Sequence, residues 1–170
     1  MLTAEKKKKY TADDYMMLEE GAPFQLINNE LIMSPSPNSI HQEIVSRISQ
    51  LILNFLAHEQ KGGYTAVSMD VVFDGNNVFQ PDFLYVSKDR KKEIVKDRVE
   101  GAPDITIEVL SPSNAYYDLI MKKEVYEKYG VKEYIIFDPI AKNAHLYALK
   151  DGIYYLHQIS TSKSLTNYFI

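Results

Sequence analysis

Residues 104–138 constrain the fold more than any other stretch of this chain. Asp104–Leu110 alternates as a strand, with Ile105, Ile107 and Val109 on one face and Thr106, Glu108 and Leu110 on the other. Ser111-Pro112-Ser113-Asn114 opens a helix over about 114–129, and Gly130 ends it. Lys132–Asp138 (KEYIIFD) is a second buried strand. A strand, a helix and a strand in this order lay a helix against a sheet face. The flanking segments extend the pattern to helix, hairpin, helix, strands, helix, strand, hairpin. The expectation is an α/β (α+β) fold, a central mixed sheet with helices on its faces. A length of 170 residues fits one domain, and a hydrophobic fraction of 45% supplies a core without staples.

Upstream, residues 1–9 read as a disordered basic tail and 10–170 as the single domain. Thr11 caps a short helix, with Asp14 at capping-box spacing. FQLI and ELIM flank Asn28-Asn29, a pair that tolerates the positive φ of a tight hairpin. The prolines of SPSP end the second strand. A long helix follows over about 39–58, with Ser39 and Gln42 at capping spacing and a core stripe of Ile44, Ile48, Leu51, Ile52 and Phe55. Tyr64–Phe73 and Val78–Val86 read as strands across the turn Asp74–Asn77, with Pro81 marking an edge, a bulge or an irregular start. Residues 87–101 read as a charged connection or lid. Ala144–Leu149 and Ile153–Ile159 pair as a C-terminal hairpin.

Composition removes several function classes. Without cysteine there is no disulfide framework, thiolate metal site or thiol nucleophile. No apolar h-region follows MLTAEKKKKY, and no stretch approaches the roughly 18 apolar residues of a membrane helix, so a cytoplasmic protein without a membrane partner is expected. Nineteen basic against 23 acidic residues argue against a surface that grips a polyanion everywhere. The basic runs Lys6–Lys9 and 88–98 read first as a solvated tail and a solvated connection.

The candidate chemistry is carried by acids. Asp82 in FQPDFLYV and Glu108 in APDITIEVLS lie on consecutive predicted strands among apolar residues. Burying a carboxylate costs several kcal/mol unless it is paired or holds a metal. Two carboxylates converging with a lysine hold a hard cation and hydrolyse phosphate esters in many sites. Lys122 projects between Tyr126 and Tyr129 on the inward stripe of its helix; Lys123 is its rival. Read alone, Glu108 is equally a strand carboxylate facing solvent, and Asp74 and Asp104 compete with Asp82. His41 shares a face with Ile44, Val45 and Ile48 and reads as a capping or core residue, or as a group at a site mouth acting on phosphate or water. There is no Gly-rich phosphate loop, no GxSxG and no HExxH.

GAPDITIEVLSPSN, Asp118-Leu119, Lys122, Tyr126, Gly130-Val131, Glu133-Tyr134 and Asp138-Pro139, with FQLINNEL, MSPSP, His41 and QPDFLYV upstream, resemble the Uma-two-type restriction endonucleases of the PD-(D/E)xK nuclease superfamily. The similarity spans roughly residues 10–160. It implies a restriction-endonuclease-like fold and a Mg²⁺-dependent (or Mn²⁺-dependent) endonuclease acting on nucleic acid, DNA favoured. Pro81-Asp82 then supplies the PD acid and Glu108 the second acid. The usual lysine two residues after Glu108 is replaced by Leu110, and Lys122 takes its place from the helix. A glutamate common in the first hairpin strand is Gln25 here, which leaves a neutral amide oxygen.

On that resemblance, Asp82, Glu108, the Val109 carbonyl and Gln25 hold the metal, Lys122 acts at the attacking water or the phosphate, and His41 contacts the phosphate. The alternative is a degenerate nuclease fold that binds nucleic acid or protein without cleaving it. A homodimer is compatible with both, through the aromatic-rich terminal hairpin (Tyr147, Tyr154, Tyr155).

Overall fold

The strands predicted for one mixed sheet fold as two. A computed structural model describes residues 8–161, with side chains described as far as 157. Residues 1–7 of the predicted tail therefore lie outside the described residues; Lys8 and Lys9 are exposed. Strands β1 (Phe24–Ile27), β2 (Glu30–Met33), β4 (Val71–Asp74), β5 (Asn77–Phe79) and β7 (Val99–Glu100) form a five-stranded sheet in the order β2-β1-β5-β4-β7. Strands β3 (Gly63–Ala66), β6 (Phe83–Ser87), β8 (Ile105–Val109), β9 (Glu133–Asp138), β10 (Asn143–Lys150) and β11 (Ile153–Thr161) form a six-stranded sheet in the order β11-β10-β9-β8-β6-β3. Both are mixed, with β8–β9 and β4–β7 the parallel pairs.

Local chemistry explains where the sheets divide. Ser68 adopts φ 49°, which ends β3 and lets the chain re-enter as β4 in the other sheet. Pro81 has no N–H to give a ladder, so the predicted strand 78–86 breaks at Gln80-Pro81-Asp82 into β5 and β6. This three-residue link crosses from one sheet to the other. Asn28 and Asn29 take φ 49° and 67°, as the hairpin of β1 and β2 requires.

Helix α1 (Ala12–Met16) carries the Thr11–Asp14 capping box and covers Leu26 and Val78. The long helix α2 (Ser39–His58) is capped by Asn38, whose Oδ1 accepts from His41 N at 2.9 Å; the cap sits one residue before the predicted Ser39. Its inward residues Ile44, Val45, Ile48 and Ile52 pack on Phe83, Ile107 and Val109, whereas Phe55 of the predicted stripe is exposed. Residues 87–101, expected as a connection or lid, fold into α3 (Lys88–Ile94) and β7, anchored by buried Ile94 and Val99.

The crossover from β8 to β9 is helical as predicted, but it begins with a π-helical segment, Tyr117–Lys122, before α4 (Lys123–Tyr129). Gly130 ends α4 at φ 87°, a left-handed cap that glycine adopts without steric cost. Strand alternation puts Ile105, Ile107 and Val109 under α2 and turns Glu108 to the opposite face, against α4. Among the described residues, no helix is long and apolar enough to cross a membrane.

Candidate active site

A cleft of about 920 Å³ opens beside the inter-sheet link. Gln25, His41, Asp82, Glu108, Val109, Asp118 and Lys122 all line it. They come from five parts of the fold: β1, the N-terminal turn of α2, the link into β6, the end of β8 and the π-helical segment. Every predicted site residue therefore reaches one cleft, although they are bonded into two groups.

The first group is centred on Asp82. Its Oδ2 accepts from Val109 N at 2.7 Å and lies 3.1 Å from His41 Nε2. The Val109 amide, at the end of β8, thereby ties the acid of the link to the neighbouring strand. The hydrogen bond to Asp82 raises the His41 pKa, against the desolvation that opposes it. Gln25 belongs to the wall beside this group. Its Oε1 accepts from Gln80 N at 3.0 Å and its Nε2 donates to Ser34 Oγ at 2.7 Å.

The second group is buried deeper. Lys122 Nζ lies 3.0 Å from Glu108 Oε1 and 2.8 Å from Asp118 Oδ1. Tyr126 donates its hydroxyl to the same Glu108 oxygen at 2.8 Å. All three charged residues are at most 5% exposed. Burial pushes the Glu108 and Asp118 carboxyls upward, the attraction of Lys122 opposes this, and the charge of Asp82 adds to the rise in both. Burial alone would lower Lys122, but the two acids outweigh it and hold the ammonium charged.

Asp118 and Tyr126 are the site residues that sequence reasoning did not assign. A signal for Asp118 was present: it stands four residues before Lys122, the spacing at which helical side chains meet. The π-helical turn carries both residues inward. Such turns are rare, and they occur often at functional sites. Tyr126 was placed on the inward stripe, but its hydroxyl contact with Glu108 depends on how helix and sheet pack.

A family model described as "Putative restriction endonuclease", Uma2, matches residues 12–168. The chain belongs to the Uma2 family. Among solved structures, this Uma2 chain matches a "putative nuclease belonging to DUF820" from Anabaena variabilis ATCC 29413. The TM-score is 0.75 at 20% identity, covering 94% of this chain and 99% of that one, so the two share their fold. No curated protein matches the sequence.

Among the described residues, no three His, Cys, Asp or Glu side chains form a group able to hold a metal by themselves. A closed protein cage is thus absent from the described residues. Mg²⁺ does not need one, because it commonly takes one or two carboxylates and completes its shell with water and substrate phosphate. The charge balance fits such an ion: Glu108 and Asp118 share one ammonium, and the nearby charge of Asp82 raises both their pKa values. The Uma2 cleft packs two carboxyls against one ammonium at low solvent exposure, so ionising both leaves a charge that a proton or a cation would balance.

Proposed function

We propose that the cleft is a metal-dependent phosphodiesterase site acting on nucleic acid, with DNA preferred. The observation that carries this reading is the pair of buried carboxyls that share one ammonium on the cleft floor, beside Asp82 on the inter-sheet link. Family membership and the fold shared with the Anabaena variabilis protein support it.

Asp82 and Glu108, with the Val109 carbonyl, would hold Mg²⁺ or Mn²⁺. When bound, the ion supplies charge neutralisation at a phosphate and makes water more acidic. The chain's own residues do the rest. Lys122 and Tyr126 fix Oε1 of Glu108, which leaves Oε2 without either partner. Lys122 also compensates Asp118 and keeps both acids from repelling each other without relief. Val109 N–H and His41 fix Oδ2 of Asp82. His41, with its cationic form favoured by Asp82, places positive charge where a phosphate would enter.

The test is manganese calorimetry together with cleavage of supercoiled plasmid, single-stranded DNA and RNA. Asp82→Asn and Glu108→Gln should each lower cleavage by about 100-fold or more. Unchanged Mn²⁺-dependent cleavage by either variant removes this site from the chemistry. Oligonucleotide binding without any manganese binding would favour a non-cleaving, nucleic-acid-binding domain instead. Light scattering tests a homodimer formed through β11, an edge of the six-stranded sheet with exposed Ile153, Tyr155 and Leu156.

A further inference from the structure

Asp82 sits on a link of three residues between two sheets, a place where a chain has few ladder bonds to fix it. Yet its Oδ2 is held at 2.7 Å from the Val109 amide of the other sheet's central region. Three anchors act on the two residues before it. The Gln80 N–H donates to Gln25 Oε1 at 3.0 Å, and Gln25 is in turn held by Ser34 at the end of β2. The Gln80 side chain donates to Asp70 Oδ1 at 2.7 Å and approaches the Tyr15 hydroxyl at 3.3 Å. Tyr15 itself donates to Asp70 Oδ1 at 3.0 Å. The Pro81 carbonyl accepts from Ser68 N at 3.1 Å. Gln25 and Tyr15 are buried, and Pro81 has a fixed φ.

We infer that Gln25, Gln80, Asp70 and Tyr15 form a clamp that positions Asp82, and that Gln25 serves the site as a brace for the link. The inference rests on the role given to Asp82 above. Physically, the clamp fastens the link to β1, β2, α1 and the start of β4, all elements of one side of the molecule. Val109 and His41 hold the Asp82 side chain from the other side. Buried polar networks of this kind stabilise one arrangement strongly when fully satisfied and are costly when half-satisfied. Groups that hold a site residue from behind typically matter by about 10-fold to 100-fold in affinity or activity.

The test reads the Val109 amide by NMR in the metal-free protein, because its proton reports directly on the Asp82 carboxylate. Gln25→Met keeps side-chain volume and removes the acceptor of Gln80 N–H. Asp70→Ala removes the acceptor of Gln80 and Tyr15, and Asp70→Asn restores an oxygen there. Gln25→Met and Asp70→Ala should each speed hydrogen exchange at Val109 N–H and move its resonance upfield, with Asp70→Asn close to wild type. In cleavage assays both should lower kcat about 10-fold to 100-fold with KM little changed. If Asp70→Ala does not fold, Tyr15→Phe, which loses one hydroxyl, should produce a smaller shift of the same sign. An unmoved Val109 amide in Gln25→Met and in Asp70→Ala (or in Tyr15→Phe) overturns the clamp. That result with cleavage still abolished by Asp82→Asn would leave the nuclease reading intact. A displaced amide in a chain that cleaves nothing would sustain the clamp and remove the nuclease reading.

Discussion

Asp104, just before β8, and Glu108, near its end, stand four residues apart, and both are almost fully buried, at 4% and 3% exposure. Their surroundings are opposite. Asp104 has two cations to itself: Lys132 Nζ at 2.6 Å and Arg90 Nη1 at 3.3 Å, with Ser87 N–H donating to its other oxygen at 2.8 Å. Burial pushes its carboxyl upward, but these partners outweigh it and the pKa ends below the usual value. Glu108 shares one ammonium with Asp118, and its pKa rises. Low exposure therefore does not distinguish the two acids. The ratio of cations to carboxylates does: two to one at Asp104, one to two at Glu108. Asp104 fastens β8 to α3 and β9, whereas the Glu108 cluster, when both its acids are ionised, holds a charge that one ammonium does not balance.

The sharpest way to break this contrast is to delete the shared cation. Lys122→Met leaves Glu108 and Asp118 buried together and should cost about 3–5 kcal/mol of stability in urea titrations. The matching change at the other site, Lys132→Met, removes a cation with an exposed side chain while Arg90 remains, so it should cost under about 1 kcal/mol. Equal losses would show that the two clusters are the same kind of object. Next in size is Asp104→Asn, which should destabilise by about 1–3 kcal/mol because it breaks charged hydrogen bonds in a buried site.

pH sharpens the comparison further. The Asp104 pKa is lower folded than unfolded, so its contribution is present above the ordinary carboxylate range and is lost as pH falls through the folded value. Glu108 and Asp118 are raised, so the folded state binds the extra protons and stability declines as pH rises from the ordinary range through their folded values. Urea midpoints of the metal-free protein should therefore lose the acid-side slope in Asp104→Asn and part of the neutral-side slope in Glu108→Gln. The smallest expected effect is the stability of Glu108→Gln near pH 7. It keeps an amide oxygen for Lys122 and Tyr126 and removes an acid whose ionised form burial disfavours, so it should stay within about 1 kcal/mol of wild type or exceed it, even as manganese binding is lost. A large destabilisation there would make Glu108 a structural acid like Asp104.

Much of this is legible in the sequence. The Thr11–Asp14 box, the Asn28-Asn29 hairpin and the Gly130 stop are each set by a few neighbouring side chains, and each stands where expected. Helix α2 spans Ser39–His58 as expected, but its cap is Asn38, which precedes the expected Ser39. The division into two sheets was not legible. It depends on Ser68 taking a left-handed conformation, and on Pro81 breaking a run whose apolar pattern continues on both sides. The helical fold of 88–94 was hidden in a segment where charge dominates and only Ile94 and Val99 report burial.

The sequence by itself determined that Asp82, Glu108 and Lys122 stood out, because a charge inside an apolar strand or helix face is costly and therefore informative wherever it occurs. Only the tertiary structure decided how those charges are shared. Asp118 joins Lys122 through a π-helical turn, Tyr126 reaches Glu108 across a packed interface, and Gln25 meets the backbone of Gln80 from another strand. Coulomb and hydrogen-bond energies depend on distances of a few ångströms between residues far apart in the chain. Those distances are fixed by the packing of whole elements, not by spacing along the sequence.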